Sequence, residues 1–235
     1  MKTFIIIPTY NEKENIEKLI REIFSLKIPD LNILVVDDNS PDGTASLVAN
    51  LKAEYPFLHL IKRPAKLGLG SAYKNGFHYA LGQGADYLFE MDADFSHQPK
   101  YLPDLIKQLT DYDLVIGSRY IDGGGVVDWS WWRKLLSRLA NLFVQIVLGL
   151  NVKDATAGFR GYKKEVFQKL NLAKIISDGY SFQVELVYLI KKAGLKIKEV
   201  PIIFPDRKRG QSKIASPEIF KAIFLIIKLK LFKAK

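Results

Sequence analysis

Two carboxylates one residue apart, Asp92 and Asp94, follow the apolar run DYLFEM at residues 86–91. In extended backbone, residues i and i+2 point to the same side, so both acids can face one ligand at the strand's end. Close carboxylates repel, and a divalent cation relieves that repulsion. An all-oxygen donor set suits Mg²⁺ or Mn²⁺, which usually divide their shell between one or two carboxylates and substrate phosphates. The competing reading is an acidic turn ahead of a helix near Lys100. Three more chemistry-bearing segments follow apolar runs: Pro8-Thr9-Tyr10-Asn11-Glu12, Asp37-Asp38-Asn39-Ser40 and Gly117-Ser118-Arg119-Tyr120. A carboxylate after the second run suits hydrogen bonds from ribose hydroxyls or a base. Asp37 reads nearly as well as part of a turn in DDNSPDG, and Asp42-Gly43 as that turn alone.

The basic candidates lie later. DRKRGQSK (206–213) gathers Arg207, Lys208, Arg209 and Lys213 around Gly210, as either a solvated basic loop or a clamp over phosphates; arginine's fork suits bidentate phosphate contact. His59, His78 and His97 do not cluster, and His97 beside the acidic motif reads better as a hydrogen-bonding residue at a helix start than as a metal ligand. Gly68-Leu69-Gly70 shares two glycines with a dinucleotide fingerprint, but the third is missing and the pair does not follow the first strand, which excludes an NAD enzyme. Cysteine is absent, so thiol nucleophiles, thiolate metal sites and disulfides are excluded.

These residues need elements to place them. TFIIIP (3–8), NILVVDD (32–38), LHLIKR (58–63), DYLFEM (86–91) and DLVIG (113–117) are short apolar runs rich in β-branched residues. Helical spacing appears between them, over 11–26, 44–55, 71–81 and 100–109; Ile16, Leu19, Ile20 and Ile23 make one face of the first. Strands so uniformly apolar are buried on both faces, which predicts an open, mainly parallel α/β sheet covered by helices. In such sheets ligands sit beyond the carboxyl ends of the strands, where the acids are, and this context favours the metal reading of Asp92 and Asp94 over the turn. The 235 residues are expected to form a single domain over 1–215, followed by a basic amphipathic helix over 216–235.

Charge divides the chain. Residues 1–127 carry 13 Lys and Arg against 17 Asp and Glu, a net of −4, whereas 128–235 carry 22 against 8, a net of +14. An anionic partner follows: nucleic acid, an anionic membrane or a phosphorylated substrate. Nucleic-acid binding gives the acidic strand ends no role, since they would repel phosphates. Within 121–150 a Gly-rich turn is followed by a helical stretch, one face of which carries Arg133, Lys134, Ser137, Arg138 and Asn141, and the other Trp132, Leu135, Leu139, Leu142, Phe143 and Ile146. The tail from Pro217 is similar, with Lys221, Lys228 and Lys235 in one stripe. Such helices suit a bilayer interface, and equally suit packing on the sheet or a dimer contact. No run reaches the ~18 to 20 apolar residues that span a bilayer. The N-terminal apolar run stops at Pro8, too short for a secretory signal, so the mature chain is expected to begin at the N-terminal MKTFIII itself.

In this order, IIIPTYNEKENI, VVDDNSPDGT, LGLGSAYKNGF, EMDADFSHQP, IGSRYIDGG, WRKLLSRLAN, DATAGFRGYKKEV, DGYSFQVEL and EVPIIFPDRKRGQSK resemble the family 2 inverting glycosyltransferases of GT-A fold. More narrowly, they resemble the dolichol-phosphate or polyprenol-phosphate mannose synthases. The resemblance covers nearly the whole chain, and its most specific parts are MDADxSHxP, GSRYxxGG and the R-x-x-G-x-S-K loop. It implies transfer of mannose, with inversion, from GDP-mannose to dolichyl or another polyprenyl phosphate. A polyprenyl-phosphate glucosyltransferase using UDP-glucose is the second reading.

By matching motif the resemblance implies that Pro8, Tyr10, Glu12, Val36 and Asp38 hold the guanosine. Asp92, Ala93 and Asp94 would meet the diphosphate, ribose and sugar, with Asp94 and Ser96 on the metal. Arg119 and Arg133 would hold the acceptor phosphate, and Arg207 with Lys213 would clamp the donor. Ser96 stands where some relatives have Gln, a stronger ligand. The chain looks like a short form without transmembrane helices, implying a peripheral protein on the cytoplasmic face of a membrane.

Overall fold

The computed structural model describes residues 1–175, 177, 179–206, 223–224 and 226–231. Its first half alternates strand and helix in the predicted order: β1 (Thr3–Thr9), α1 (Lys13–Ser25), β2 (Leu31–Asp37), α2 (Thr44–Leu51), β3 (Leu58–Lys62), α3 (Leu69–Gly82), β4 (Tyr87–Glu90), α4 (Leu102–Gln108) and β5 (Leu114–Ser118). A single 3-10 turn, Pro99–Tyr101, leads into α4. The second half contains β6 (Gly125–Val127), α5 (Trp131–Leu148), β7 (Arg160–Lys163), α6 (Lys164–Lys169), α7 (Tyr180–Lys192), β8 (Ile197–Pro201) and β9 (Ile203–Pro205).

Seven strands form one sheet in the order β3-β2-β1-β4-β7-β5-β8, and β6 pairs with β9 in a small second sheet. All pairings are parallel except those of β7, which runs antiparallel between β4 and β5. Side chains of β1 alternate between two cores, as the twofold period of a strand requires. Phe4 and Ile6 enter a cluster with α3, α5 and α7, while Ile5 and Ile7 enter one with α1, α2 and α4. Ile16, Leu19, Ile20 and Ile23 of α1 are fully buried in the second cluster, each adding about 1.5–3 kcal/mol of transfer free energy. Two glycines permit close approach. A Cβ on Gly76 of α3 would stand 2.5 Å from Ile6, and one on Gly161 of β7 would stand 2.4 Å from Phe89.

Register aligns the strand ends. Thr9 of β1 faces Asp37 of β2, and Ile6 faces Glu90 of β4. Arg160 of β7 lies between Glu90 and Ile116 of β5, so Asp92 and Ser118 both fall two residues beyond that row. The segments carrying Tyr10, Asp38, Asp92 and Arg119 therefore leave the sheet at one end.

α5 is capped by the Ser130 side chain, which accepts from the Arg133 N–H, and by Gly149 in the left-handed conformation. Its buried residues are Asn141, Val144 and Leu148, whereas Trp131, Trp132, Leu135, Leu136, Leu139, Leu142 and Ile146 are exposed. The period was legible in the sequence; the structure turns the apolar stripe outward. Residues 223–224 and 226–231 are helical, with Ile226 and Leu229 buried and Ile223, Phe224, Ile227 and Leu231 exposed. Most of the expected 216–235 helix, and both Arg207 and Lys213, lie outside the described residues. No helix among the described residues is long and apolar enough to cross a membrane.

Candidate active site

The loops after β1, β2 and β4 each contain a non-glycine residue at positive φ, Asn11, Asn39 and Phe95, as does the segment after β6, at Asp128. Asn and Asp tolerate that region, but a phenylalanine there costs about 1–2 kcal/mol, and strain of this kind gathers at functional sites. Phe95 immediately follows Asp94. The turn is closed by its own polar groups. Asp94 Oδ1 accepts from the Ser96 amide at 3.1 Å and hydroxyl at 2.5 Å, and His97 Nδ1 accepts from the Asp92 amide at 2.9 Å. Accepting at Nδ1 leaves the His97 proton on Nε2, which lies 3.9 Å from Asp92 Oδ2. His97 thus shapes the acidic turn. Gly158 makes room for it, since a Cβ there would stand 3.3 Å from His97 Cε1.

Asp37 is wholly structural, accepting from the Thr9 hydroxyl at 3.0 Å, the Ser40 hydroxyl at 2.5 Å and the Ser40 amide at 2.9 Å. Asp38 pairs with Arg63 and accepts from the Leu67 amide at 3.2 Å. Arg63 in turn reaches the Gly68 carbonyl at 2.9 Å and the Ser71 hydroxyl, so Asp38 also anchors the start of α3. Beside them the Tyr10 ring carries Lys66 Nζ at 4.1 Å. Glu12 caps α1 through its carbonyl and accepts from Asn15 Nδ2 at 2.9 Å.

Arg119, just past β5, is held by a residue that the sequence did not single out. Asp154 is fully buried and accepts from the Arg119 amide at 2.9 Å and from Nε and Nη2 at 2.7 Å each. Arg119 Nη2 also donates to the Thr156 hydroxyl at 2.9 Å, which accepts from Asn141 of α5 at 3.0 Å. Glu199 of β8 accepts from the Lys153 and Asp154 amides at 2.8 and 2.9 Å, and Arg160 donates to the Ala155 and Ala157 carbonyls. The 153–157 segment is thereby fixed from both sides.

Arg133, in the first turn of α5, pairs with Asp206 at 2.7 Å. Its guanidinium carbon lies 3.9 Å from the centre of the Trp129 ring, and that of Arg119 lies 5.6 Å from the same ring. Phe204 packs edge-on against Trp129 and edge-on against His97, at 5.6 Å in each case. A chain of rings thus joins the acidic turn to the two arginines. Neither Trp129 nor Phe204 carried a signal in sequence beyond being aromatic, because their roles arise from contacts between distant segments.

Beneath the acidic turn, Glu90 is fully buried and accepts from the Tyr162 hydroxyl at 2.8 Å. Burial pushes its carboxyl up to about 7, against the opposing pull of Arg160. Among the described residues there is no group of three His, Asp and Glu able to hold a metal unaided. Asp92 and Asp94 nonetheless offer hard oxygen donors at a polar turn, a set that fits a Mg²⁺ or Mn²⁺ ion sharing its shell with a diphosphate.

The profile of glycosyl transferase family 2 matches residues 4–170. This chain is a family 2 glycosyltransferase. It is 42% identical over 227 residues to the polyprenol monophosphomannose synthase of Mycolicibacterium smegmatis, covering 96% of this chain and 85% of that one. It is 43% identical over 223 residues to the undecaprenyl-phosphate mannosyltransferase of Micrococcus luteus, covering 95% and 91%. Among solved structures, the family 2 glycosyltransferase aligns with mannosyl-3-phosphoglycerate synthase from Rubrobacter xylanophilus at a TM-score of 0.74 and 19% identity, covering 99% of this chain and 74% of that one. Glucosyl-3-phosphoglycerate synthase from Mycobacterium tuberculosis, in complex with Mn²⁺, UDP-glucose and phosphoglyceric acid, aligns at 0.67 and 18%, covering 97% and 79%. These likenesses establish the GT-A-type fold expected from the sequence.

Proposed function

We propose that this glycosyltransferase transfers mannose with inversion from GDP-mannose to a polyprenyl phosphate at a membrane surface. The observation that carries the reading is the meeting, at one end of the sheet, of an acidic turn suited to a metal-diphosphate and an arginine pair suited to a second phosphate. Two relatives more than 40% identical across nearly the whole chain, named for mannose and a polyprenyl phosphate acceptor, support it.

Pro8, Tyr10, Glu12, Val36 and Asp38 would line the guanosine side, and Asp92, Ala93 and Asp94 the diphosphate and sugar. Asp94 would hold Mg²⁺ or Mn²⁺, with Ser96 orienting its carboxylate, and the bound ion would supply Lewis-acid stabilisation of charge on the departing diphosphate. A phosphate monoester has a second pKa near ~6, so the acceptor is largely dianionic at neutral pH and needs no general base. One acceptor oxygen attacks the anomeric carbon as the bond to GDP breaks, which inverts the configuration. Arg119 and Arg133 hold that nucleophile in line and offset its charge. Arg207 and Lys213, outside the described residues, would close on the donor. The outward apolar stripe of α5 suits shallow insertion into the headgroup region, where the lipid acceptor resides.

Purified protein incubated with radiolabelled GDP-mannose, Mg²⁺ and dolichyl phosphate should yield a mannolipid. Label appearing only from UDP-glucose would move the assignment to a glucosyltransferase. Asp94→Ala should lower turnover at least about a hundredfold with an unchanged melting temperature, and unchanged turnover would refute the metal assignment.

A further inference from the structure

Arg119 and Arg133 arrive from different places, one past the end of β5 and the other in the first turn of α5. Each has its own carboxylate, Asp154 for the first and Asp206 for the second. Asp154 comes from the loop before β7 and Asp206 from just past β9, so neither ion pair sets one guanidinium against the other, although Tyr120–Ser137 and Thr156–Asn141 tie the Arg119 side to α5. The ring of Trp129, 8% exposed, does touch both, at 5.6 and 3.9 Å, and the sum of these distances limits how far apart the guanidinium carbons can stand. Two like charges held near each other repel, and an aromatic π-face attracts each of them.

The ring is itself fixed. Phe204 meets it at 83° between planes, and the pairing of β6 with β9 holds Phe204 beside the segment that leads to Trp129. The indole N–H is buried without a hydrogen-bond partner among the described residues. Buried donors are normally paired, and a phenylalanine would avoid that cost. Among the described residues, the contacts that the ring makes to charge come from its extent, which reaches two guanidinium groups.

We propose that Trp129 is a positioning residue for the acceptor phosphate: its indole face sets the spacing of Arg119 and Arg133, so that an arriving phosphate monoester meets two preplaced forks. The inference rests on the reading that these arginines take the acceptor. Preplacement acts on acceptor binding and alignment and leaves nucleotide binding untouched, since the guanosine side lies on β1 and β2.

The test is a double-mutant cycle on the full chain with wild type, Trp129→Leu, Trp129→Phe, Arg133→Ala and the Trp129→Leu/Arg133→Ala pair. Acceptor KM and kcat are measured with dolichyl phosphate in detergent, and GDP binding by calorimetry. Trp129→Leu should raise acceptor KM about tenfold with GDP affinity unchanged, and Trp129→Phe, which keeps a smaller π-face, should fall between it and wild type. In the pair, loss of Trp129 should add little to loss of Arg133. Strictly additive losses, or GDP affinity and melting temperature falling in step with activity in both tryptophan variants, would overturn the proposal. Dolichyl phosphate binding without donor gives the same cycle independently of turnover. A wild type that binds the lipid yet transfers no mannose would fault the donor assignment alone, with the cycle still deciding on Trp129. A wild type that binds no dolichyl phosphate would overturn the acceptor reading and this inference with it.

Discussion

Asp94 and Arg119 carried their chemistry in the sequence, as acid and base at the ends of apolar runs; what holds them did not. Asp154 sits in DATAGF with no periodicity or charge cluster to mark it, yet it is fully buried and takes three bonds from Arg119. Breaking a buried pair from one side leaves an uncompensated charge, worth about 3–5 kcal/mol. Asp154→Asn keeps the shape and removes the charge, so it should lower the melting temperature and raise acceptor KM severalfold with GDP affinity intact. An unchanged acceptor KM would show that Arg119 needs no such support. Glu90 gives a pH test. Its folded value of about 7 lies above the ordinary 4.5, so its contribution is fully present below pH 4.5 and is lost as pH rises through 7. Glu90→Gln does not titrate, so its stability relative to wild type should grow between those limits and level off above them, by up to about 3 kcal/mol. Denaturant unfolding at several pH values measures the gap, and a flat difference would show that Glu90 stays ionised in the folded protein.

At the scale of elements, β1, β2, β4 and β5 were legible because both faces of each are buried and each reads as an apolar run; β3, at the sheet's edge, is only partly buried but still carries LHLI. β7 was not, since its sequence RGYK offers no apolar run although Arg160, Gly161 and Tyr162 are buried. Arg160 is fully buried because the Ala155, Ala157 and Gln183 carbonyls accept its protons, a solution that only the folded chain supplies. Nor could β6 and β9 be foreseen, at three residues each. For α5 the period was clear while the direction was not. Arg133, Ser137 and Asn141 face inward because they have partners there, in Asp206, Tyr120 and Thr156 respectively. Val144 and Leu148 still pack into the core, but Trp131, Trp132, Leu135, Leu136, Leu139, Leu142 and Ile146 are left outside, so most of the helix's apolar surface does not face the sheet. Leu139→Glu with Ile146→Glu consequently tests the helix directly. Both side chains are more than half exposed, so the melting temperature should stay within a degree or two, while flotation with phosphatidylcholine vesicles should fall severalfold. A large drop in melting temperature would instead mean that the stripe packs within the protein.

For the whole molecule, the division of charge follows the division of labour. The acidic half, with a net of −4, supplies β1 to β5 and the turns assigned to the nucleotide and metal. The half with a net of +14 supplies α5 and the C-terminal helical residues, whose exposed apolar side chains account for eleven of the sixteen large hydrophobics left in solvent among the described residues. Apolar insertion is insensitive to salt, whereas attraction of Lys and Arg to acidic lipids is worth about 1 kcal/mol each near the surface and fades within a Debye length, about 10 Å at 0.1 M salt. The two contributions can therefore be separated on one protein. Flotation with phosphatidylcholine vesicles should be indifferent to salt. The increment gained by adding phosphatidylglycerol should be large at low salt and vanish by about 1 M, where the screening length has shrunk to about 3 Å. Mannolipid formation on those vesicles should follow the increment, while turnover on a short-chain acceptor dispersed in detergent should not. Were the increment to survive high salt, the basic half would be acting through specific headgroup contacts and not through its field, and mannolipid formation on the vesicles would then survive high salt with it.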